Sequence, residues 1–391
     1  MENLLYVPVA RHANLRQLDN LLHGLPSPPR RAADAVIIRT HDPEAKELLT
    51  SPDIQGRVRH RVEMKPLFLL TLSDREFRLT PLGSEEGGDG PQLGQSTVVQ
   101  CVRQAELTIL ARQPGALLPP APNFHYEGPN GSHYASFLRV GTALQSIDAV
   151  DAVSFWTMPY LTANSAVVLD SPSILALGLN LPRYIADCGY GGRFHLRLVE
   201  CQRSYDEPAH ALVQRLSAPA ERLTHVLLIM SVSSTGRLRD QLASALGTMT
   251  EQVTIVSLFG SAPGRAATHT VHEEILCPLD EQLLRHPLDT APLLRYDPAE
   301  CLRCRAGSAV VRIDPNTYLV EVAAAISQVR VRIGDAADGR RFVERYRGLG
   351  SLTVHRDQHD RQRHHMVHID VARLLRSRGF EARLQDVLVS C

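Results

Sequence analysis

Residues 226–238 read VLLIMSVSSTGRL, and no other stretch narrows the fold of this chain as much. Val226 to Ile229 form an apolar run, the pattern of a strand buried on both faces. A short hydroxyl-rich loop follows, from Ser231 through Ser233, Ser234 and Thr235 to Gly236. A helix is predicted over 237–246, with Leu238, Leu242, Ala245 and Leu246 on one stripe. Strand, small-residue loop and helix N-terminus, in that order, is an arrangement that holds a phosphate. The first N–H groups of the helix have no intrahelical partner, and the helix dipole adds positive potential. The Ser234 and Thr235 hydroxyls add donors, and Gly236 leaves the backbone open to close approach. A Ser/Thr-capped helix that binds nothing has the same pattern, so the surrounding chain must decide.

At 391 residues the chain is long enough for two to three domains. Lys+Arg and Asp+Glu are equal at 42 each, so no net charge draws it toward nucleic acid or a membrane surface. With aromatics at 5%, a base-stacking platform for single strands is not expected. No apolar run approaches the roughly 18 residues that span a bilayer. The N-terminal sequence lacks a basic segment followed by a long apolar one, so a signal peptide is not expected. Seven cysteines, an odd number spread thinly apart from one CxxC, suit a reducing compartment, and a cytoplasmic location is expected.

The order of elements predicts an α/β fold. Residues 1–94 read as a small α/β extension and linker. Helices are expected at 14–22 and from 42, a strand at 35–38, and a hairpin turning at 73–76 between strands over 63–72 and 77–79. The stretch 84–94 has four glycines and one proline and reads as the linker. The core is expected over 95–265, a mostly parallel sheet flanked by helices. An amphipathic helix over 98–110 opens it. A short buried strand at 165–170 leads through Ser171-Pro172-Ser173 into a helix at 174–184, repeating the strand, polar loop, helix plan of 226–246. Two such loops at the carboxyl ends of neighbouring strands would face one crevice. Strands are also expected at 193–201 and 253–259. Around the turn Gly128-Pro129-Asn130-Gly131 crowd His125, Tyr126, His133, Tyr134, Phe137 and Arg139, which fits a ligand-lining hairpin and a plain surface hairpin alike. Residues 266–391 form a β-containing C-terminal region with strands at 309–313 and 318–322 and a helical stretch at 374–388.

Taken together, residues 98–260 resemble the type I phosphoribosyltransferase family, its orotate-specific members in particular. The resemblance implies that VLLIMSVSSTGRL is the loop cradling the 5′-phosphate of phosphoribosyl diphosphate, held by Ser231, Ser233, Ser234, Thr235 and Gly236. It puts Asp170, Ser171 and Ser173 at the diphosphate loop and His133 and Arg139 in the N-terminal hood. Residues 202–222 become the flexible loop over the site, and magnesium is expected with the phosphorylated ligand. The family's adjacent acidic pair, which contacts the ribose, falls on Met230 and Ser231, and neither can supply a carboxylate. Asp170 is the acidic side chain left at the neighbouring strand end and the candidate catalytic residue. The resemblance therefore implies a degenerate phosphoribosyltransferase-fold protein that binds a phosphorylated ribose or nucleotide. Its role would be a sensing or assembly subunit docking a protein partner, as in a bacterial defence or stress system. The alternative is an active pentosyltransferase acting on a nucleobase, so the enzyme question stays open.

The second candidate chemistry is a metal. Cys301-Leu302-Arg303-Cys304 with Gly307 resembles half of a zinc knuckle. A tetrahedral site needs two more ligands, and Cys277 with His269 or His272 is the expected completion of a structural zinc site. Two unligated thiols in a turn is the alternative. His355, His359, His364, His365 and His368 could form a metal or acid/base site, although HHMVHIDV alternates like a half-exposed strand. Glu344, Arg345 and Arg347 beside Gly348-Leu349-Gly350 could meet a phosphate, although a surface turn is the expected reading.

Overall fold

The computed structural model describes residues 4–8, 33–40, 47, 49, 51–61, 65–73, 75–82, 95–118, 124–189, 195–202, 207–216, 223–233, 236–250, 252–260, 271–279, 295–313, 320–321, 352–356 and 365–369. The chain divides into two compact units, Met1–Leu118 with Leu138–Leu284, and Pro119–Phe137 with Arg285–Cys391. Short strands β5 (Leu117–Leu118) and β8 (Phe137–Leu138) mark where the chain leaves and re-enters the larger unit.

The larger unit holds two sheets. In the first, β1 (Leu4–Pro8), β2 (Ala35–Arg39) and β3 (Leu67–Ser73) run parallel, and β4 (Glu76–Pro81) returns antiparallel across the hairpin. β3 reads LFLLTLS and is buried from Leu67 to Leu72, whereas the edge strand β4 stays largely exposed. Helix α1 (Pro52–Arg61), which the sequence reading passes over, sets Ile54 and Val58 one turn apart into the sheet's apolar core.

The second sheet is the frame of the candidate site. Strands β9 (Asn164–Leu169), β10 (His195–Cys201), β11 (His225–Ser233), β12 (Gln252–Gly260) and β13 (Val271–Pro278) are all parallel. Their spatial order is β10-β9-β11-β12-β13, so in chain order the sheet runs 2-1-3-4-5. The mixed α/β fold with parallel strands flanked by helices is thus present. β13 lies past residue 265, where the sequence reading ends the core. His272, Glu273 and Glu274 disguise it, because an edge strand buries only part of itself, here Leu276 and Cys277.

Helices cover both faces. On one face Ala166, Val168, Val226, Leu228, Met230, Val253 and Ile255 pack against Leu212 and Leu216 of α6 (Ala209–Leu216) and Leu242 and Leu246 of α7 (Arg237–Leu246). On the other, Gly178 of α5 (Leu175–Asp187) lies against Leu169 and Val199. Residues 202–222, expected as a flexible loop, therefore include a docked helix. Its polar face misleads a sequence reading, while Leu212 and Leu216, one turn apart, fix it to the core. Helices α2 (Gln95–Ala111), α3 (Val140–Ala143) and α4 (Ile147–Thr157) complete the unit.

A buried polar cluster knits the N-terminal sheet to α2 and α4. Arg39 donates to Glu106 at 2.8 Å and to the Tyr6 hydroxyl at 2.6 Å. Tyr6 and Trp156 donate to the other Glu106 oxygen at 2.9 and 2.6 Å, and the guanidinium lies 5.0 Å from the Phe155 ring centroid. Burial above all holds the Tyr6 phenol well above its ordinary pKa, so it stays a donor.

In the smaller unit β6 (Phe124–Glu127) and β7 (His133–Tyr134) form a hairpin around the Gly-Pro-Asn-Gly turn. β14 (Arg295–Tyr296) pairs with β7, β15 (Ala309–Ile313) runs parallel to β6, and β16 (Val320–Glu321) pairs with β15. β17 (Leu352–Arg356) and β18 (His365–Ile369) form a separate antiparallel ribbon. His355, His365 and His368 lie on these strands, as the alternation suggests. His359, His364, the 344–350 turn and the expected helices at 14–22, from 42 and at 374–388 lie outside the described residues.

Candidate functional site

In a sheet of order 2-1-3-4-5 the crossover direction reverses between the first and third strands, opening a crevice outside their carboxyl ends. Here those strands are β9 and β11; Asp170 lies just beyond the first, and Ser231 lies near the carboxyl end of the second. Asp170 N donates to Ile229 O at 3.0 Å, holding the aspartate against β11. Its carboxylate is 4% exposed. Oδ2 accepts from Ser231 N at 2.8 Å and from Ser231 Oγ at 2.7 Å. Oδ1 has no partner among the described residues. Burial pushes the Asp170 carboxyl up to about 6, against the opposing effect of the Ser231 hydrogen bonds and, after them, the Ser171 hydroxyl.

The flanking groups share this character. Ser171 is buried, and its hydroxyl lies 2.6 Å from that of Ser173. Beyond β10, Gln202 N donates to Leu169 O at 2.9 Å. Its side chain is fully buried, with Oε1 unpartnered among the described residues. Two neighbouring strand ends thus each carry a buried acceptor oxygen without a donor among the described residues, an arrangement that costs about 1–3 kcal/mol apiece until a donor is supplied. A Cβ on Gly141 would sit 2.7 Å from Ser173 O, so the α3 segment lies hard against the Ser171–Ser173 turn. Arg139, two residues earlier, is half-buried and has no ion-pair partner among the described residues.

Of the second loop, Ser231–Ser233 and Gly236 are described. Gly236 has φ 73° at the start of α7, a conformation that favours glycine. On the side a Cβ would take lies the Arg239 guanidinium, paired with Asp240 at 2.9 Å and Glu273 at 2.8 Å. Ser233 is buried at the end of β11, and Ser234 and Thr235 lie outside the described residues. Met230 faces the core with Val168 and Leu242, while Ser231 turns to Asp170. Of the two positions expected to lack carboxylates, one is therefore core and the other is wedded to the nearby aspartate.

The metal candidate is in the smaller unit and has a different composition from the expected one. Cys277 is buried in β13 with its sulfur 3.9 Å from Thr108 Oγ1, and His272 on that strand is exposed. His269 lies outside the described residues. The residues gathered with Cys301 and Cys304 are His125 and His133, and the four donor atoms all lie within 4.8 Å of one another. His125 Nε2 is 3.1 Å from His133 Nδ1, 3.6 Å from Cys301 Sγ and 3.4 Å from Cys304 Sγ. His133 Nδ1 is 3.3 Å from Cys304 Sγ. His133, expected as a phosphate contact, therefore belongs to a group that could hold a metal ion. Burial, then His133 and Arg303, lower the His125 pKa to about 4. His125 and His133 flank a hairpin, and a CxxC lacking two ligands is the signal that points to such a pair. Gln202 leaves no such trace, since a polar residue after a strand is ordinary.

No family model matches the sequence, and no curated protein matches it. Among solved structures the chain is similar to Leishmania donovani UMP synthase, with 13% identity and a TM-score of 0.34 over 70% of this chain and 62% of that one. The chain thus spans less than two thirds of that protein, and a likeness so distant establishes neither family nor activity.

Proposed function

We propose that this chain binds a phosphorylated ribose or nucleotide at the carboxyl edge of its five-stranded sheet. The observation that carries the reading is Asp170 at the reversal between β9 and β11, buried, with one carboxylate oxygen held by Ser231 and the other unpartnered among the described residues. A sugar hydroxyl is the donor that oxygen lacks. The Ser171 and Ser173 hydroxyls, the half-buried Arg139 two residues before Gly141 and the N-terminus of α7 supply groups suited to the anionic end. The carboxylates that phosphoribosyl transfer uses are absent at Met230 and Ser231, so the site is read as a binding site rather than a catalytic one.

A thermal-shift series with ribose 5-phosphate, phosphoribosyl diphosphate and nucleotides, with and without magnesium, tests this. A ligand at a hundred times its dissociation constant stabilises the fold by about 2.7 kcal/mol. Absence of any shift for the whole series refutes the reading. A second reading, pentosyl transfer, draws on the Asp170 carboxyl at about 6, within reach of proton exchange near neutral pH. Release of diphosphate from phosphoribosyl diphosphate at about 1 per second or faster would establish it.

A further inference from the structure

We propose that His125, His133, Cys301 and Cys304 bind one zinc ion in a closed, four-ligand site that holds the smaller unit together. Zinc bonds of about 2.3 Å to sulfur and about 2.05 Å to nitrogen, at tetrahedral angles, set ligand separations of about 3.4 Å for N–N and about 3.6 Å for S–N. His125 Nε2 lies 3.1 Å from His133 Nδ1 and 3.6 and 3.4 Å from the Cys301 and Cys304 sulfurs, His133 Nδ1 lies 3.3 Å from Cys304 Sγ, and all four donor atoms lie within 4.8 Å of one another. Four soft or borderline donors are gathered in one place, and these four separations lie close to those of a tetrahedral shell. Two thiolates and two imidazoles suit zinc and not magnesium or calcium, which take oxygen ligands. All four positions come from the protein, which is the structural and not the catalytic form of such a site.

The surroundings are arranged for it. Ser308 Oγ lies 3.1 Å from His125 Nδ1, placed to accept the Nδ1 proton in the tautomer whose Nε2 lone pair binds the ion. Cys301 caps the short helix α8 (Leu302–Arg305), where Arg305 N donates to Cys301 O at 3.1 Å and Gly307 N to Cys304 O at 2.9 Å. Those bonds fix the two sulfurs on one side of the turn. The hairpin ligands and the knuckle ligands lie 176 residues apart at His125 and Cys301. Parallel pairing of β6 with β15 brings them together, with His125 opposite Val310. Binding forms two Zn–S and two Zn–N bonds and releases the two thiol protons to solvent, with no change of oxidation state. The ion thereby adds a covalent-strength link between two distant segments that β6 with β15 and β7 with β14 pair only over short strands.

The test uses the full chain. Elemental analysis of protein purified without added metal, and again after reconstitution with zinc, should find one zinc per chain with a dissociation constant on the order of 10⁻⁸ M or tighter. Cys277→Ser should keep the zinc, and the double change Cys301→Ser with Cys304→Ser should lose it. Because that variant can fail to fold, alkylation of the native chain gives a second measurement. Zinc should shield Cys301 and Cys304 from iodoacetamide and a chelator should expose them, while the exposed Cys101 reacts in both states. Absence of zinc after reconstitution, retention of zinc by the double variant, or equal alkylation of Cys301 and Cys304 with and without chelator would each overturn the proposal.

Discussion

Glu106 and Asp170 are both carboxylates buried in the larger unit, at 6% and 4% exposure, and they are built in opposite ways. Glu106 has a guanidinium on one oxygen and two donors, Tyr6 and Trp156, on the other. Asp170 has two neutral donors from a single residue on one oxygen and none described on the other. A buried charge with its counter-charge and hydrogen bonds complete holds elements in register. A buried charge left half-satisfied costs stability, and such a cost is tolerated where a ligand completes the set. The comparison assigns Glu106 to the scaffold and Asp170 to the site, and it can be broken by measurement.

The largest effect is expected at Glu106. Glu106→Gln leaves the Arg39 guanidinium buried without a counter-charge, and should lower the unfolding free energy by about 3–5 kcal/mol. Adding Arg39→Met should recover a large share, because removing both charges is far less costly than removing one. Urea denaturation of the two variants checks this. A Glu106→Gln loss below about 1 kcal/mol would remove the distinction from Asp170.

Acid comes next. His225 lies at the amino edge of the same sheet, with Nδ1 2.8 Å from Ser165 Oγ and Nε2 2.9 Å from Thr254 Oγ1. Burial, with a smaller effect of Arg75, lowers its pKa to about 4 from an ordinary value of 6.5. The folded state therefore binds fewer protons than the unfolded one between those values. Its contribution is fully present above pH 6.5 and is lost as the pH falls toward 4. The separation sets an upper bound of about 3 kcal/mol, and roughly half of that is expected after solvent screening. The acid limb of stability against pH should flatten in His225→Gln.

Asp170 should respond in the opposite sense. Its folded pKa of about 6 lies above the ordinary 3.8, so its contribution is present below pH 3.8 and lost as the pH rises through 6. Asp170→Asn keeps an acceptor for Ser231, removes the buried charge, and should stabilise the fold by about 1–2 kcal/mol at pH 7.5. The same change should abolish the thermal shift with ribose 5-phosphate. A variant that is both less stable and still shifted by ligand would move Asp170 into the scaffold beside Glu106.

The two sites were legible in the sequence to different depths. Residues 226–238 announce a buried strand and a helix start because a central parallel strand is apolar throughout, and β11 and α7 lie where that pattern puts them. The repeat at 165–184 likewise gives β9 and α5. Adjacency is not legible. Strand order decides that Asp170 meets Ser231, and order follows from packing of whole elements. The metal group shows the same limit. Cys301 and Cys304 are read from their spacing, whereas Cys277 is nearer to them in sequence than His125 and His133 but belongs to a strand of the other sheet. Hidden amphipathy accounts for α6, since two leucines one turn apart vanish in a charged stretch.

The smallest expected change in stability is at Arg139, and it sharpens the comparison because it separates binding from folding. Arg39 and Arg139 are both arginines of the larger unit. The first is 3% exposed and bonded to Glu106 and Tyr6; the second is half-buried, with no partner among the described residues. A partly exposed arginine with no partner among the described residues is expected to contribute within about ±0.5 kcal/mol to folding. Its position follows from Gly141, which brings the 139–143 segment against the Ser171–Ser173 turn. A phosphate beside those hydroxyls would gain a charge-assisted contact from the guanidinium, worth about 1.5–3 kcal/mol, or roughly 10- to 150-fold in affinity. Arg139→Gln should therefore leave the urea midpoint unchanged while weakening ribose 5-phosphate by that factor and leaving unphosphorylated ribose unaffected. Equal loss for both ligands would mean that Arg139 shapes the crevice without meeting the anion. An unchanged affinity for ribose 5-phosphate would place the phosphate at the α7 N-terminus alone.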